Sequence, residues 1–436
     1  MNKITIGLIG CGNVGSGVIK FLQKNRAALR KKYQSDFRVK TICDLRINRL
    51  NLKGLKRIRL TKNYQDILKD DEIDVVIELI GGLTPAKDII LQALRSGKDV
   101  VTANKWVISH SSRELFRTAH RVNRNVYFES SVMAGVPAIK TVTEGVSGNQ
   151  FRGIYGIING TCNYILSSMT QKKYTFAQAL KEAQQRGFAE RNPTLDVNGA
   201  DSAHKLSILI FLAFDKFIPQ KDIHTEGITH ISHNDIEYAE SLGLTIKLLA
   251  IAKQTGRSIE ARVHPTLISK NHPLASINGI YNAISLDTMP LGDVLLSGEG
   301  AGQMTAASGI ISDLINLSAR QGSPATSYIS NLHGENRQLK LKRMDDISTK
   351  FYIRFMATDR PGVLSKISGI LGKYGISINS VTQKAHSPRS TVPVVMLTDY
   401  AKEKMVRLAL DKIHKLPIVK SRPVAIRMEN LKLIFK

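Results

Sequence analysis

The stretch that most restricts how this chain can fold is its first seventeen residues. Residues 4–9 are a short apolar run of strand type, Gly10-Cys11-Gly12-Asn13-Val14-Gly15 follows at once, and residues 16–22 have helical periodicity. Strand, G-x-G-x-x-G, helix is the setting in which a dinucleotide pyrophosphate is cradled. Gly10 is expected to make the tight turn, Gly12 to let the backbone approach the pyrophosphate at the helix N-terminus, and Gly15 to permit close packing of helix on strand. Asn13 and Val14 complete the loop. The same residues exclude a signal peptide, because the apolar run leads directly into the fingerprint.

A second strand, residues 38–43, ends at Asp44. An acid there can accept the ribose hydroxyls of NAD, whereas Arg46 and Arg49 can pair with the 2′-phosphate of NADP, so both coenzymes stay open. The distance from the glycines to Asp44 exceeds the usual ~20 residues, which a long first helix explains. Residues 74–80 read as a buried parallel strand ending in Gly81 and Gly82, and residues 98–102 as the next, running into Lys105. Ligands of open parallel sheets bind at the carboxyl ends of the strands. Gly81, Gly82, Thr102 and Lys105 are therefore expected beside the coenzyme. Residues 126–137 read as a strand followed by a loop of small residues. Glu129 with exposed carbonyls there is a hard-oxygen set suited to a monovalent or alkaline-earth cation; a simple turn is the alternative.

From residue 153 the texture changes. A strand over 152–158, a turn at 159–161 and a helix over 162–169 are expected. Cys162, at that helix start, reads as a small buried residue in preference to an activated thiol. A helix over 176–186 leads to the central loop, 190–205. Pro193 and Gly199 mark it as turn-rich, and the apolar run 206–214 after it marks a helix that starts near Asp201 and is quickly buried. Asp201 and Lys205, four apart, share a face of its first turn. With Glu190 and Asp196 they make three carboxylates and an ammonium, a set suited to a small zwitterion: the carboxylates hold its amino group and the lysine faces its reacting oxygen. The alternative is a helix-capping Asp201 and an ordinary surface pair. Residues 237–254 read as a helix with Leu242, Ile246, Leu249 and Ala250 on one face; 259–263, 281–286 and 293–296 read as strands. A glycine loop through Gly300 and Gly302 precedes a helix over 305–320. After a polar linker, residues 351–428 read in the order βαββαβ, a ferredoxin-like unit.

At 436 residues two or three domains are expected. The fold class is α/β plus α+β. The domains expected are a Rossmann-type unit at 1–140 completed by the helix 305–320, an α+β catalytic and dimerisation unit at 141–329, a linker at 330–348 and a regulatory unit at 349–436. The longest apolar run, nine residues, is too short to span a membrane. The three widely spaced cysteines argue against a disulfide framework and for a reducing, cytoplasmic setting. The net charge of +26 admits nucleic acid as a partner, but the basic residues are scattered and no basic stripe is interleaved with stacking aromatics. A solvated basic surface that attracts anionic cofactors and substrates is the reading taken here, with neither nucleic acid nor membrane as partner.

Taken together, residues 10–15, 76–82, 101–105 and 159–166, the loop through His204 and Lys205, and the Gly300–Gly302 loop make the chain resemble homoserine dehydrogenases. Residues 359–364, Asp-Arg-Pro-Gly-Val-Leu, resemble an ACT domain. The resemblance implies reversible reduction of L-aspartate 4-semialdehyde to L-homoserine with NADP or NAD. It implies that Glu190 and Asp196 hold the amino end of the substrate, with Gly160 and Thr161 also at the substrate. Lys105 and Lys205 face the carbonyl oxygen, and Asp201 lies beside Lys205. It adds Gly302 to the coenzyme contacts, and implies a sodium ion on Glu129 and the carbonyls of Val132, Ala134 and Val136. L-Threonine is the implied effector, near Gly362, Asn379 and Gln383, in a homodimer or homotetramer. Asn192 stands where many relatives carry an aspartate, and Cys43 where many NADP-preferring relatives carry an arginine. Two other readings compete: an aspartate-semialdehyde dehydrogenase acylated on Cys162, and a non-catalytic amino-acid sensor or nucleic-acid binder.

Overall fold

The computed structural model describes residues 1–46, 58–319, 338–383 and 391–431. In chain order the first elements are β1 (Asn2–Ile9), α1 (Asn13–Tyr33), β2 (Ser35–Cys43), β3 (Arg59–Thr61), α2 (Gln65–Leu68), β4 (Val75–Glu78), α3 (Ala86–Arg95), β5 (Asp99–Thr102), α4 (Lys105–Arg121) and β6 (Val126–Tyr127). Next come α5 (Ser130–Met133), α6 (Ala138–Lys140), β7 (Gln150–Ile157), α7 (Gly160–Gln171), α8 (Phe176–Gln185), α9 (Thr194–Val197) and α10 (Ala200–Phe214). They are followed by β8 (His224–Thr225), α11 (His233–Ser241), β9 (Leu244–Thr255), β10 (Ser258–Ser269), β11 (Tyr281–Met289), β12 (Gly292–Glu299) and α12 (Gln303–Ala319). The last are β13 (Lys340–Leu341), β14 (Ser348–Thr358), α13 (Val363–Lys373), β15 (Ile378–Gln383), β16 (Thr391–Thr398), β17 (Ala401–Lys402), α14 (Glu403–His414) and β18 (Val424–Met428).

The chain divides into two compact units. The first joins Met1–Arg152, Ser202–Ile223 and Ile280–Leu339. Its sheet has the order β3-β2-β1-β4-β5-β6 with every neighbouring pair parallel, the doubly wound arrangement that the glycine fingerprint predicts. Both faces must be covered, so β1 reads as a continuous apolar run: Ile4, Ile6 and Leu8 are fully buried. They share one core with Val18 and Leu22 of α1 and with Ala307, Ile310 and Leu314 of α12. The expected helix at 305–320 is thus α12, packed beside α1; Arg320 lies outside the described residues. β11 and β12 form an antiparallel hairpin in this unit.

The second unit joins Gly153–Asp201, His224–Gly279 and Lys340–Lys436. β7, β9 and β10 are antiparallel neighbours. From β14 to β18 the chain has the expected βαββαβ order, with sheet order β18-β14-β16-β15 and antiparallel pairing throughout. β18 also pairs in parallel with β10, Thr266 opposite Arg427 and Leu267 opposite Met428, so one sheet runs through both parts. Three arginines are buried along that junction. Arg427 Nη2 lies 2.7 Å from Glu226 and 2.6 Å from Glu403. Arg354 Nε lies 2.7 Å from Asp235, and Arg262 Nη2 lies 3.0 Å from Glu260 and 2.5 Å from Glu429.

One expected element is different. Residues 237–254 are not a single helix: α11 ends at Ser241, Gly243 takes φ +72°, and residues 244–255 are β9. Seven consecutive residues of β9, 246–252, are buried. A strand covered on both faces loses the alternation that would distinguish it from a buried helix. Of the linker expected at 330–348, residues 330–337 lie outside the described residues; β13 and a short 3-10 turn occupy part of the rest. Among the described residues no helix is long and apolar enough to cross a membrane.

Candidate active site

The glycine loop of the first unit has the geometry its residues predict. Gly10 takes φ +93°, and a Cβ there would come within 2.7 Å of the Leu79 carbonyl carbon. A Cβ on Gly15 would overlap the Gly10 carbonyl oxygen, whereas one on Gly12 would meet nothing. The space over the start of α1 is therefore open. The first turn of α1, which begins with Asn13 and Val14, carries no acidic residue, so its N-terminal N–H groups are available to an anion. α12 is docked on the same turn: Gln303 Nε2 donates to the Asn13 carbonyl and to Ser16 Oγ, both at 2.9 Å. Gly302 precedes it at φ +127° and is exposed.

Asp44, at the end of β2, also has a role inside the protein. Its carboxylate accepts from Cys11 N at 2.8 Å and from Arg46 N at 2.7 Å, so it holds the glycine loop in place. The 21-residue α1 accounts for its distance from the glycines. Arg49 lies outside the described residues. At the strand ends, a buried carboxylate organises the loops. Glu78 accepts from Ile80 N at 2.9 Å and from Thr102 Oγ1 at 2.7 Å, and burial raises its pKa. Asn104 donates to the Gly82 carbonyl at 2.8 Å and caps α4 at Val107 N. The Thr102 hydroxyl is thus engaged with protein, and Gly81, at φ +73°, and Gly82 are exposed. The signal for Glu78 was a single charge ending an apolar strand.

Lys105 is the first residue of α4 and Lys205 lies in α10; both are half-buried. The two helices touch through the residues next to these lysines. The Trp106 and His204 ring centroids are 4.1 Å apart, and Ser109 Oγ is 2.9 Å from His204 Nδ1. Further along, Phe116 stacks on Phe211 with centroids 5.6 Å apart. This aromatic contact between α4 and α10 is one that sequence reasoning missed.

In the second unit, Asp196 lies in α9 and Asp201 in the first turn of α10. One amide joins them: Asn159 Nδ2 donates to Asp196 Oδ1 at 2.7 Å and to Asp201 Oδ2 at 2.8 Å. Its Oδ1 caps α7, accepting from Cys162 N at 2.8 Å. Cys162 is fully buried and its thiol donates to the Asp196 carbonyl at 3.1 Å, so it is the small structural residue expected. Thr161 Oγ1 donates to the Phe188 carbonyl at 2.7 Å, and Gly160 opens α7. Gly199, at φ +85°, turns the chain into α10. Asn192 accepts from Thr194 N at 3.3 Å, the turn-forming role an aspartate would also fill. Glu190 is exposed and outside the Asn159 contacts; its carbonyl accepts from Gln184.

Glu129, back in the first unit, is buried and accepts from Ile139 N at 2.8 Å and Lys140 N at 2.9 Å. Burial pushes its carboxyl up to about 6, against those two N–H groups. Its own N–H donates to Asp313, which burial and the Glu129 charge push up to about 8. Ala134 takes φ +52°, and the Val136 carbonyl accepts from Ala138 N. Among the described residues no cluster of three His, Cys, Asp or Glu side chains could hold a metal, so any cation here would rest on Glu129 with carbonyls such as that of Val132. In the C-terminal part, a cavity of about 410 Å³ is lined by residues 358–364 with Gln383 and Val394. Gln383 Nε2 donates to Asp359 Oδ1 at 3.1 Å across it, and Gly362 caps α13 at φ +83°.

Comparison with known proteins finds matches over three successive stretches of the chain. The family model described as homoserine dehydrogenase matches residues 137–315, that described as homoserine dehydrogenase, NAD binding domain, matches residues 10–129, and the ACT domain model matches residues 351–417. The homoserine dehydrogenase of Neisseria gonorrhoeae is 36% identical over 434 residues, covering 99% of this chain and 100% of that protein. That of Synechocystis sp. is 38% identical over 436 residues, covering 98% and 99%. A crystal structure of a homoserine dehydrogenase from Thiobacillus denitrificans superposes with a TM-score of 0.88 at 37% identity, covering 98% of this chain and 99% of that one.

Proposed function

The chain belongs to the homoserine dehydrogenase family, and we propose how its residues share out the reaction. The activity is the reversible NAD(P)H-dependent reduction of L-aspartate 4-semialdehyde to L-homoserine, on the route to threonine and methionine. When bound, the reduced nicotinamide supplies the hydride. The glycine loop with Asn13 and Val14 holds it, joined by Gly81, Thr102, Lys105 and Gly302; the open space over Gly12 and the acid-free first turn of α1 support that fit.

As the aldehyde carbon is reduced, its oxygen becomes an alkoxide. Lys105 and Lys205 present ammonium groups to that oxygen, one delivering the proton and the other stabilising the charge. Asp201, one turn earlier on α10, orients the Lys205 ammonium. Glu190 and Asp196 pair with the amino group of the substrate, and Gly160 and Thr161 offer N–H groups to its carboxylate. The Trp106–His204 contact supports this most, because its sequence neighbours are the two lysines. The test follows NADPH and NADH absorbance with aspartate semialdehyde in Lys105→Ala and Lys205→Ala. Each is expected to lower kcat by about 100-fold or more, and full turnover in both overturns the assignment. The ratio of the two coenzyme rates reads the preference.

Three finer assignments belong to the same reading. A sodium ion rests on Glu129 and the carbonyls of Val132, Ala134 and Val136, a hard-oxygen set; an unchanged melting temperature when choline replaces sodium removes it. L-Threonine occupies the C-terminal cavity near Gly362 and Gln383, with Asn379 on the adjoining strand, and inhibits; full activity at millimolar threonine counts against it. The enzyme works in the cytoplasm as a homodimer or homotetramer, and a monomer mass by light scattering rejects that state.

A further inference from the structure

Asn159 does two separable things. As the cap of α7 it uses only its carbonyl oxygen, which accepts from Cys162 N. Serine or aspartate would cap equally well. Its amino group is what distinguishes it: each of the two hydrogens goes to a different carboxylate, Asp196 at 2.7 Å and Asp201 at 2.8 Å. An ionised aspartate in its place would have no hydrogen to give. Asn159 is buried, 5% exposed, as is Asp201 at 6%, so no bulk water stands ready to replace those bonds. Two like charges drawn to one nitrogen repel each other unless a donor lies between them. The loop itself has independent anchors, the Cys162 thiol on the Asp196 carbonyl and the Thr161 hydroxyl on the Phe188 carbonyl.

We infer that Asn159 is a positioning residue of the reaction, its amide fixing the separation and orientation of the Asp196 carboxylate, which pairs with the substrate's amino group, and of the Asp201 carboxylate, which orients Lys205. This rests on the roles proposed above for those two aspartates. It adds a specificity device: with Asp196 held in place by that amide, the site takes a substrate carrying an ammonium group and discriminates against an aldehyde lacking one.

The test uses the full chain. Asn159→Ser and Asn159→Asp both keep an acceptor for Cys162 N; the thermal unfolding of Asn159→Ser is expected within a few degrees of the parent, and that of Asn159→Asp, which crowds a third carboxyl into the site, below the parent near neutral pH and closer to it as pH is lowered. In Asn159→Ser, KM for aspartate semialdehyde is expected to rise at least tenfold while KM for the coenzyme stays within twofold. In Asn159→Asp, kcat/KM is expected to increase as pH is lowered, because one of three crowded carboxyls then protonates and becomes a donor again; the parent shows no such increase. Asp196→Asn is run alongside. If it raises the semialdehyde KM and Asn159→Ser does not, the inference about Asn159 fails alone. If it too leaves the KM unchanged, the substrate role of Asp196 fails first. A common drop in both KM values' affinities together with a lowered melting temperature would reduce Asn159 to a structural cap.

Discussion

The two units build their candidate sites from different material. In the first, the surface offered to a coenzyme is backbone: Gly10 at φ +93°, the close approach of Gly15 to the Gly10 carbonyl, the open space at Gly12. In the second, it is side chain: one amide between two carboxylates. The cores differ in the same sense. β1, α1 and α12 meet through aliphatic residues, whereas the junction of β10, β14 and β18 is held by buried arginine–carboxylate pairs. At Gly10 and Gly15 the backbone leaves no room for an added atom, and an ionic junction tolerates no missing partner.

That contrast can be broken most severely at Arg354. Arg354→Ala leaves Asp235, which is fully buried, without its counter-charge. A loss of about 3–5 kcal/mol is expected in denaturant unfolding; a loss below about 1 kcal/mol would mean that the pair behaves like a surface ion pair. Lys247 probes the same unit through pH. It is buried against the Ile277 carbonyl and Asn278, and burial pulls its pKa down to about 8. The unfolded chain therefore binds this proton more tightly than the native one. Below about pH 8 the residue costs stability, which returns as pH rises from about 8 toward the ordinary lysine value of 10.5. The difference in unfolding free energy between the parent and Lys247→Met should shift by about 3 kcal/mol across that window; a flat difference refutes the assignment.

In the first unit the expected effects are steric. Gly15→Ala forces a methyl onto the Gly10 carbonyl, and coenzyme Kd is expected to rise by about 10- to 100-fold. Gly12→Ala places its methyl in space that is open without coenzyme, so it should weaken coenzyme binding while leaving the melting temperature of the apo protein unchanged, whereas Gly15→Ala lowers both; an equal fall in apo melting temperature would dissolve the distinction. The smallest change is expected from Cys162→Ser, whose hydroxyl can still donate to the Asp196 carbonyl: homoserine formation within about twofold of the parent. Abolished turnover would point to thiol chemistry instead.

What could be read from the sequence follows the same line. Gly10, Gly12 and Gly15 announce their geometry because few residues can adopt it, and the βαββαβ order of the C-terminal part is carried by period-two alternation and turn residues. β9 escaped because burial on both faces erases its period. Asn159 escaped because capping and bridging look alike in sequence; only the placement of Asp196 and Asp201 around it separates them. Asp44 was recognised as important, but its bonds to Cys11 and Arg46 depend on where the long α1 returns the chain. The resemblance pairs Lys105 with Lys205, and the contact between their helices that the structure shows, Trp106 against His204, involves the next residue in one case and the preceding one in the other.

The pairing of β18 with β10 has a consequence for how such a chain can change over time. Cutting the tail away near residue 340 would take Arg427 from Glu226 and Arg354 from Asp235 and lay bare one rim of β10. A recombination event that swapped in another sensor would have to bring arginines matched to those acids. Body and tail are therefore bound to mutate in concert, however separable they look along the chain.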